Sequence, residues 1–193
     1  MAKRAFIIHG WGGHPNEGWL LWLQKELTDK GFQVISPAMP ETENPKIQEW
    51  VSFLAAQVGE VDSDTYFIGH SIGCQTIMRF LQGVPEDKKV GGAIFVAGWF
   101  YLDNMEDEEE KQIAKPWIET PINFDAIKKV LSRLVVVLSD NEHYGYVLEN
   151  KIKFEESLGA QVIIEHSKGH FTEEDSVFQI PVVLEKILEF SKP

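Results

Sequence analysis

The chain has very little cysteine: Cys74 is the only one in 193 residues. No internal disulfide can form, so burial must hold the fold together, and a reducing cytoplasm is the natural compartment for such a chain. Long hydrophobic runs are missing too. Nothing approaches the roughly 20 apolar residues of a membrane span, and the run from Ala5 to Ile8 is too short for a signal peptide. Positive charge is scarce, with 18 Lys and Arg against 30 Asp and Glu and a formal net charge of -12. With no basic patch, neither nucleic acid nor an anionic membrane is an expected partner. Nor does the sequence call for a metal or a cofactor. Its glycine-rich stretch "IIHGWGGHP" (Ile7 to Pro15) has neither the G-x-G-x-x-G pattern nor the G-K-[ST] ending of a phosphate loop.

What the chain does have is alternation. Short apolar runs at about Arg4–His9, Gln33–Ser36, Thr65–Ile68, Gly92–Val96, Leu134–Leu138 and Gln161–Ile164 read as six strands buried on both faces. Helical patterns lie between them near Trp19–Lys30, Ile47–Val58, Gly73–Leu81, Phe124–Leu131 and Val147–Leu158, with a last one at Ile180–Phe190. Strand–helix alternation implies βαβ units, hence one α/β domain over residues 1–193 with a mostly parallel sheet covered on both sides. Gly31 and Gly159 mark helix ends. The one departure is the segment from Trp99 to Thr120, acidic and then aromatic. Its "EDEEE" run is a solvated helix face or part of an insertion over the strand ends.

Gly69-His70-Ser71-Ile72-Gly73 fits the G-x-S-x-G nucleophile elbow. The elbow is a strand-to-helix turn so tight that the serine backbone is strained, and side chains two residues to either side would collide with it. Chance alone produces the pattern in about one chain of this length in fifteen, so its setting decides. "TYFI" is a good strand and "GCQTIMRFL" an amphipathic helix, which is the context the elbow requires. Cys74 falls on that helix's inner face and reads as a small core residue.

A serine nucleophile needs a base, and the base needs an orienting acid. In α/β-hydrolases these follow the serine in the order acid, then histidine. That order excludes His9, His14 and His70 and leaves His143, His166 and His170. His170, in the polar loop "SKGHFTEED", is the candidate base, while His166 sits nearer a strand end and reads as structural. Asp140 and Glu142 in "LSDNEH" are both candidate acids, one of them a loop residue capping the next helix. The oxyanion hole would take the N–H of Ile72, the residue after the serine, and a second from the glycine-rich loop, with Trp11 as donor. Gly10 and Gly12 in that loop, His70 beside the serine, and Trp99 just past a strand end are candidate substrate contacts.

These pieces together resemble the retinoblastoma-binding protein 9 family of small serine hydrolases, a compact branch of the α/β-hydrolases. The resemblance spans nearly the whole chain. It rests on "IIHGWGG", "EGWLLWLQKELTDKGFQV" followed by "PAMP", "FIGHSIGCQTIMRFL", "KPW…AIKKV", the "LSDNE" loop and "GHF". It implies an open, twisted, mostly parallel six-stranded sheet with a minimal cap, and a Ser-Asp-His triad that cleaves small acyl substrates. Ser71 and His170 match the family pattern; the acid does not. The family has an aspartate, followed by proline, three residues after a Ser or Gly. Counting from Ser139 reaches Glu142, followed by His143, so the register favours Glu142 and the residue type favours Asp140. The departure also keeps a second expectation in view, a protein-binding module with weak activity or none, its partner unknown.

Overall fold

Side chains on successive strand residues point to opposite faces of a sheet, and this divides the core of the protein in two. In the computed structural model, which describes residues 2–105 and 107–192, Phe6, Ile8, Phe67, Phe95, Val136 and Leu138 face one apolar cluster. Their neighbours Ala5, Ile7, Ile68, Ile94, Val96, Val135 and Val137 face the other. The strands are β1 (Arg4–Ile8), β2 (Gln33–Ile35), β3 (Thr65–His70), β4 (Gly92–Val96), β5 (Leu134–Ser139) and β6 (Gln161–Glu165). They form one sheet in the order β2-β1-β3-β4-β5-β6, and every pairing is parallel. This is the parallel α/β arrangement, covered by helices on both faces, expected from the alternation.

Helices α1 (Gly18–Asp29) and α7 (Pro181–Phe190) cover one face through Leu20, Leu23, Leu27, Val183 and Ile187. Helices α2 (Ile47–Val58), α3 (Ile72–Leu81), α5 (Phe124–Val130) and α6 (Val147–Leu158) cover the other through Trp50, Leu54, Ile77, Ile127 and Phe154. Gly31 and Gly159 take positive φ just past the ends of α1 and α6, as the helix-stop reading required. Among the described residues no helix is long and apolar enough to cross a membrane.

The chain runs from β1 to the edge strand β2 and then returns to β3 on the other side of β1. The loops after β1 and β3 therefore leave the sheet at its topological switch point, where open α/β sheets place their ligands. β3 extends two residues beyond the expected Ile68, because Gly69 and His70 still pair with Phe95 and Val96.

The acidic segment contains a helix of its own, α4 (Glu108–Glu119). Asp107 caps it by accepting the N–H of Glu109 at 2.7 Å, and three glutamates in the first turn suit the positive end of its dipole. Two buried side chains hold its far end to the body. The Trp117 indole donates to the Pro45 carbonyl at 2.9 Å, and Arg79 of α3 donates to the carbonyls of Trp117 and Thr120. Arg79 is 4 % exposed and lies over the Trp117 ring; desolvation pulls its guanidinium down to about 10. Replacing Arg79 by Ala leaves those two carbonyls unpaired. We expect it to lower stability by about 2–4 kcal/mol, read as a lower urea midpoint with an unchanged slope.

Candidate active site

Ser71 stands between β3 and α3 with φ 52° and ψ −120°, a conformation that L-residues rarely adopt. Its N–H bonds to Val96 O at 2.9 Å, which ties the turn to β4. The flanking glycines are there for space. A Cβ on Gly69 would lie 2.8 Å from the Cys74 nitrogen, and one on Gly73 would lie 2.4 Å from the Ile8 carbonyl oxygen. The N-terminus of α3 thus presses directly on the end of β1. Gly10 approaches from the other side, and a Cβ there would touch the Ser71 Cβ at 3.5 Å and His70 Nδ1 at 3.1 Å. Cys74 is fully buried, and burial pushes its thiol well above the ordinary range. It packs; it does not react.

His170 lies in the loop after β6, and its Nδ1 is 2.8 Å from Glu142 Oε1 in the loop after β5. Both side chains are close to nine-tenths buried. Asp140 is elsewhere: its Oδ2 meets His166 Nδ1 at 2.6 Å and its Oδ1 accepts the Ser167 N–H at 2.8 Å. The Ser167 N–H and then His166 hold the Asp140 carboxyl below its ordinary value. A third pair joins the same two loops, with His143 Nε2 at 2.7 Å from Asp175 Oδ1. The other oxygen of Asp175 accepts from the N–H groups of His170 and Thr172 and from the Thr172 hydroxyl. Between these pairs, Asn141 Oδ1 accepts from the Ser139 hydroxyl and the Gly169 N–H. Three carboxylate–histidine contacts thus fasten the loop carrying Glu142 to the loop carrying His170.

The other histidines near the site are neutral spacers. His9 is buried, with Nε2 accepting the Met39 N–H and Nδ1 facing the Gly10 carbonyl, and desolvation lowers its affinity for a proton. It holds the start of the glycine-rich loop. His70 Nε2 donates to the His170 carbonyl at 2.8 Å, and its buried Nδ1 has no partner among the described residues. Desolvation, reinforced by His170, takes His70 down to about 3, so its ring stays neutral.

A cavity of about 530 Å³ opens over Ser71, lined by Gly10, Trp11, Gly12, His70, Ile72, Trp99 and His170 among others. As the first residue of α3, Ile72 has an N–H with no acceptor inside the helix. The Trp11 main-chain N–H also has no hydrogen-bond partner among the described residues, while its indole donates to Glu43 O. The indole N–H of Trp99 donates to Ser71 Oγ at 3.3 Å; no bond joins that oxygen to the His170 ring. The acidic segment takes both parts considered for it. Leu102, Met105 and Glu110 line the cavity, while Glu108 and Glu109 are exposed at the start of α4. Glu17, Glu43, Glu173 and Glu174 add four more carboxyls to the lining, and no Lys or Arg among the described residues joins them. Burial first, and Glu173 as well, raise the Glu17 carboxyl above its ordinary value. No cluster of three or more His, Cys, Asp or Glu among the described residues is arranged to hold a metal ion.

The serine hydrolase family matches residues 5–188. The chain belongs to that family. It is 25% identical over 190 residues to the putative hydrolase YdeN of Bacillus subtilis (strain 168), covering 98% of this chain and 97% of the relative. The crystal structure of the ydeN gene product superposes with a TM-score of 0.88 at 23% identity, over 97% of this chain and 98% of that one. Est1E from Butyrivibrio proteoclasticus, solved with ferulic acid bound, superposes with a TM-score of 0.74 at 16% identity, over 97% and 87%. At these identities the two structures speak for the fold, and the fold they share is that of the α/β-hydrolases.

In this serine hydrolase, several residues that build the site carried no clear signal in the sequence. Gln75 and Asn150 are polar residues on otherwise apolar helix faces, and that position was their only mark. Gln75 Nε2 donates to the Trp99 carbonyl at 2.6 Å, and Asn150 Oδ1 accepts from Phe100 N and Tyr101 N. Asp175 looked like one more acidic loop residue.

The His143–Asp175 contact has a pH signature. Its bond to Asp175 raises His143 above the ordinary 6.5. Burial pushes Asp175 up, but bonds from His143 and Thr172 outweigh it and leave the carboxyl below 3.8. A raised histidine contributes stability that is complete below its unfolded value and fades as pH rises through its folded value; a lowered carboxyl contributes above its unfolded value. The contact is therefore strongest between about pH 4 and 6.5 and weakens above that window. The thermal midpoint of His143→Gln should fall furthest below wild type near pH 5–6 and converge with it by about pH 9.

Proposed function

We propose that this protein cleaves small esters or amides through an acyl-enzyme, as the resemblance to the retinoblastoma-binding protein 9 family implies. The observation that carries the reading is the Glu142–His170 contact, with His170 itself lining the cavity that opens over a serine held in a strained elbow. Ser71 Oγ attacks the substrate carbonyl carbon while its proton passes to His170 Nε2, and the carbonyl electron pair moves onto oxygen. Glu142 accepts from His170 Nδ1–H, which fixes the tautomer that leaves Nε2 free, and it stabilises the imidazolium. The N–H groups of Ile72 and Trp11 receive the oxyanion, a contribution of about 3–4 kcal/mol per donor. His170 then returns its proton to the leaving group. Water activated by the same imidazole releases the acid and regenerates Ser71. No cofactor takes part. The absence of a Ser71–His170 bond in the free protein fits a contact that tightens only with substrate in place.

The competing reading, a binding protein on the same fold, draws on that missing bond and on a glutamate standing where the family has aspartate. A fluorophosphonate probe decides between them. Wild type should label and Ser71→Ala should not, and a wild type that stays unlabelled beside a reactive control removes the catalytic reading. Glu142→Gln should lower kcat by about 10³–10⁴. Asp140→Asn should stay within about fivefold, because its carboxylate faces His166.

The lining carboxyls also set a charge preference. A neutral or ammonium-bearing ester should exceed its carboxylate-bearing isostere in kcat/KM by about tenfold or more, and the gap should narrow in high salt.

A further inference from the structure

We infer that Trp99 is a catalytic residue, its indole N–H serving as a hydrogen-bond donor to the Ser71 oxygen as charge comes and goes on it. The inference rests on Ser71 being the nucleophile. Three observations carry it. The contact is direct, Trp99 Nε1 to Ser71 Oγ at 3.3 Å, between side chains of residues 4 % and 8 % exposed, where a hydrogen bond is little screened by water. An indole can only donate, so the serine oxygen must accept. That leaves the hydroxyl's own proton unspent and free to go to His170. Finally, the donor is built in place. Gln75, four residues along α3 from the serine, holds the Trp99 carbonyl at 2.6 Å, and Asn150 holds the next two backbone N–H groups. Just before them, Ala97 takes φ 49° at the end of β4, which turns the chain back over the elbow.

The geometry suits both half-reactions. During attack the Oγ–H bond breaks, its proton goes to His170 Nε2, and the oxygen carries growing negative charge until the bond to carbon is complete. During deacylation the C–Oγ bond breaks, the electron pair stays on Oγ, and the proton returns from His170. In each case Trp99 donates to the oxygen while it is charged, from a position that needs no rearrangement. This role differs from walling the cavity, because a wall needs the ring and a donor needs the N–H.

The test separates those two parts. Trp99→Phe keeps an aromatic ring and removes the donor. Replacing Trp99 by 3-benzothienylalanine, with sulfur in place of N–H, keeps the bicyclic shape as well and covers the case in which the Phe variant fails to fold. With a chromogenic acetyl ester, both should lower kcat by about tenfold, the worth of one hydrogen bond to a charging atom, with KM moved much less. The rate of fluorophosphonate labelling should fall by a similar factor. Benzothienylalanine protein that matches wild type in kcat and labelling rate, or exceeds it, overturns the inference while leaving the hydrolase reading intact. A wild type that neither labels nor turns over ester overturns both.

Discussion

Everything at this site depends on the backbone of one residue. Ser71 is held at a positive φ between a strand and a helix, and that conformation survives only because the surroundings over-determine it. The N-terminus of α3 packs so closely on the end of β1 that Gly73 has no room for a Cβ against the Ile8 carbonyl, and Gly69 has none against the start of the same helix. The strain is absorbed by burial: α3 is buried along its whole length, and the strands beneath it are buried on both faces. A weaker core would let the turn relax and withdraw the serine from the cavity. The fold's stability and its chemistry therefore meet in the same five residues.

The second constraint is the joining of two loops. Neither the loop after β5 nor the loop after β6 has regular structure to hold it, yet Glu142 and His170 meet at 2.8 Å. Asp140–His166, His143–Asp175 and the Asn141 amide act around that contact, so that each loop supplies partners for the other's backbone and side chains. Exposed carboxylate–histidine contacts of this kind contribute little singly. Their effect comes from number and placement, since they bracket the buried pair. His143 holds the two loops together through a side-chain contact with Asp175.

Around this rigid centre the cavity is aromatic above the serine and acidic at its edge. Helix α4 is fastened by Arg79 and Trp117 rather than left as a free cap, and the residues before it reach the cavity wall. The net charge of -12 is thus not spread evenly: part of it lines the site. Low-dielectric walls focus the field of such carboxyls on whatever enters the cavity.

The alternation of strands and helices was legible in the sequence because strands buried on both faces must be apolar throughout. The elbow was legible because only glycine fits where helix meets strand, and His170 was singled out as a candidate by chain order together with its place in a polar loop after the last strand. Helix α4 was legible only as a solvated helix face in "EDEEE"; its extent and its anchoring were not, since its anchors, Arg79 and Pro45, lie far away along the chain. Nor did the residues reveal that the Trp99 indole reaches Ser71, or that Gln75 and Asn150 fix it, because those contacts join helices α3 and α6 to the loop after β4. The choice between Asp140 and Glu142 lay beyond sequence for the same reason. Two carboxylates two residues apart in a loop have the same chemistry, and which one meets an imidazole 28 residues further on depends on how the loop turns. Local patterns, which rest on neighbours along the chain, determined the strands, the elbow and the place of Ser71 in it. Only the packing of one loop against another decided which carboxylate faces the His170 ring.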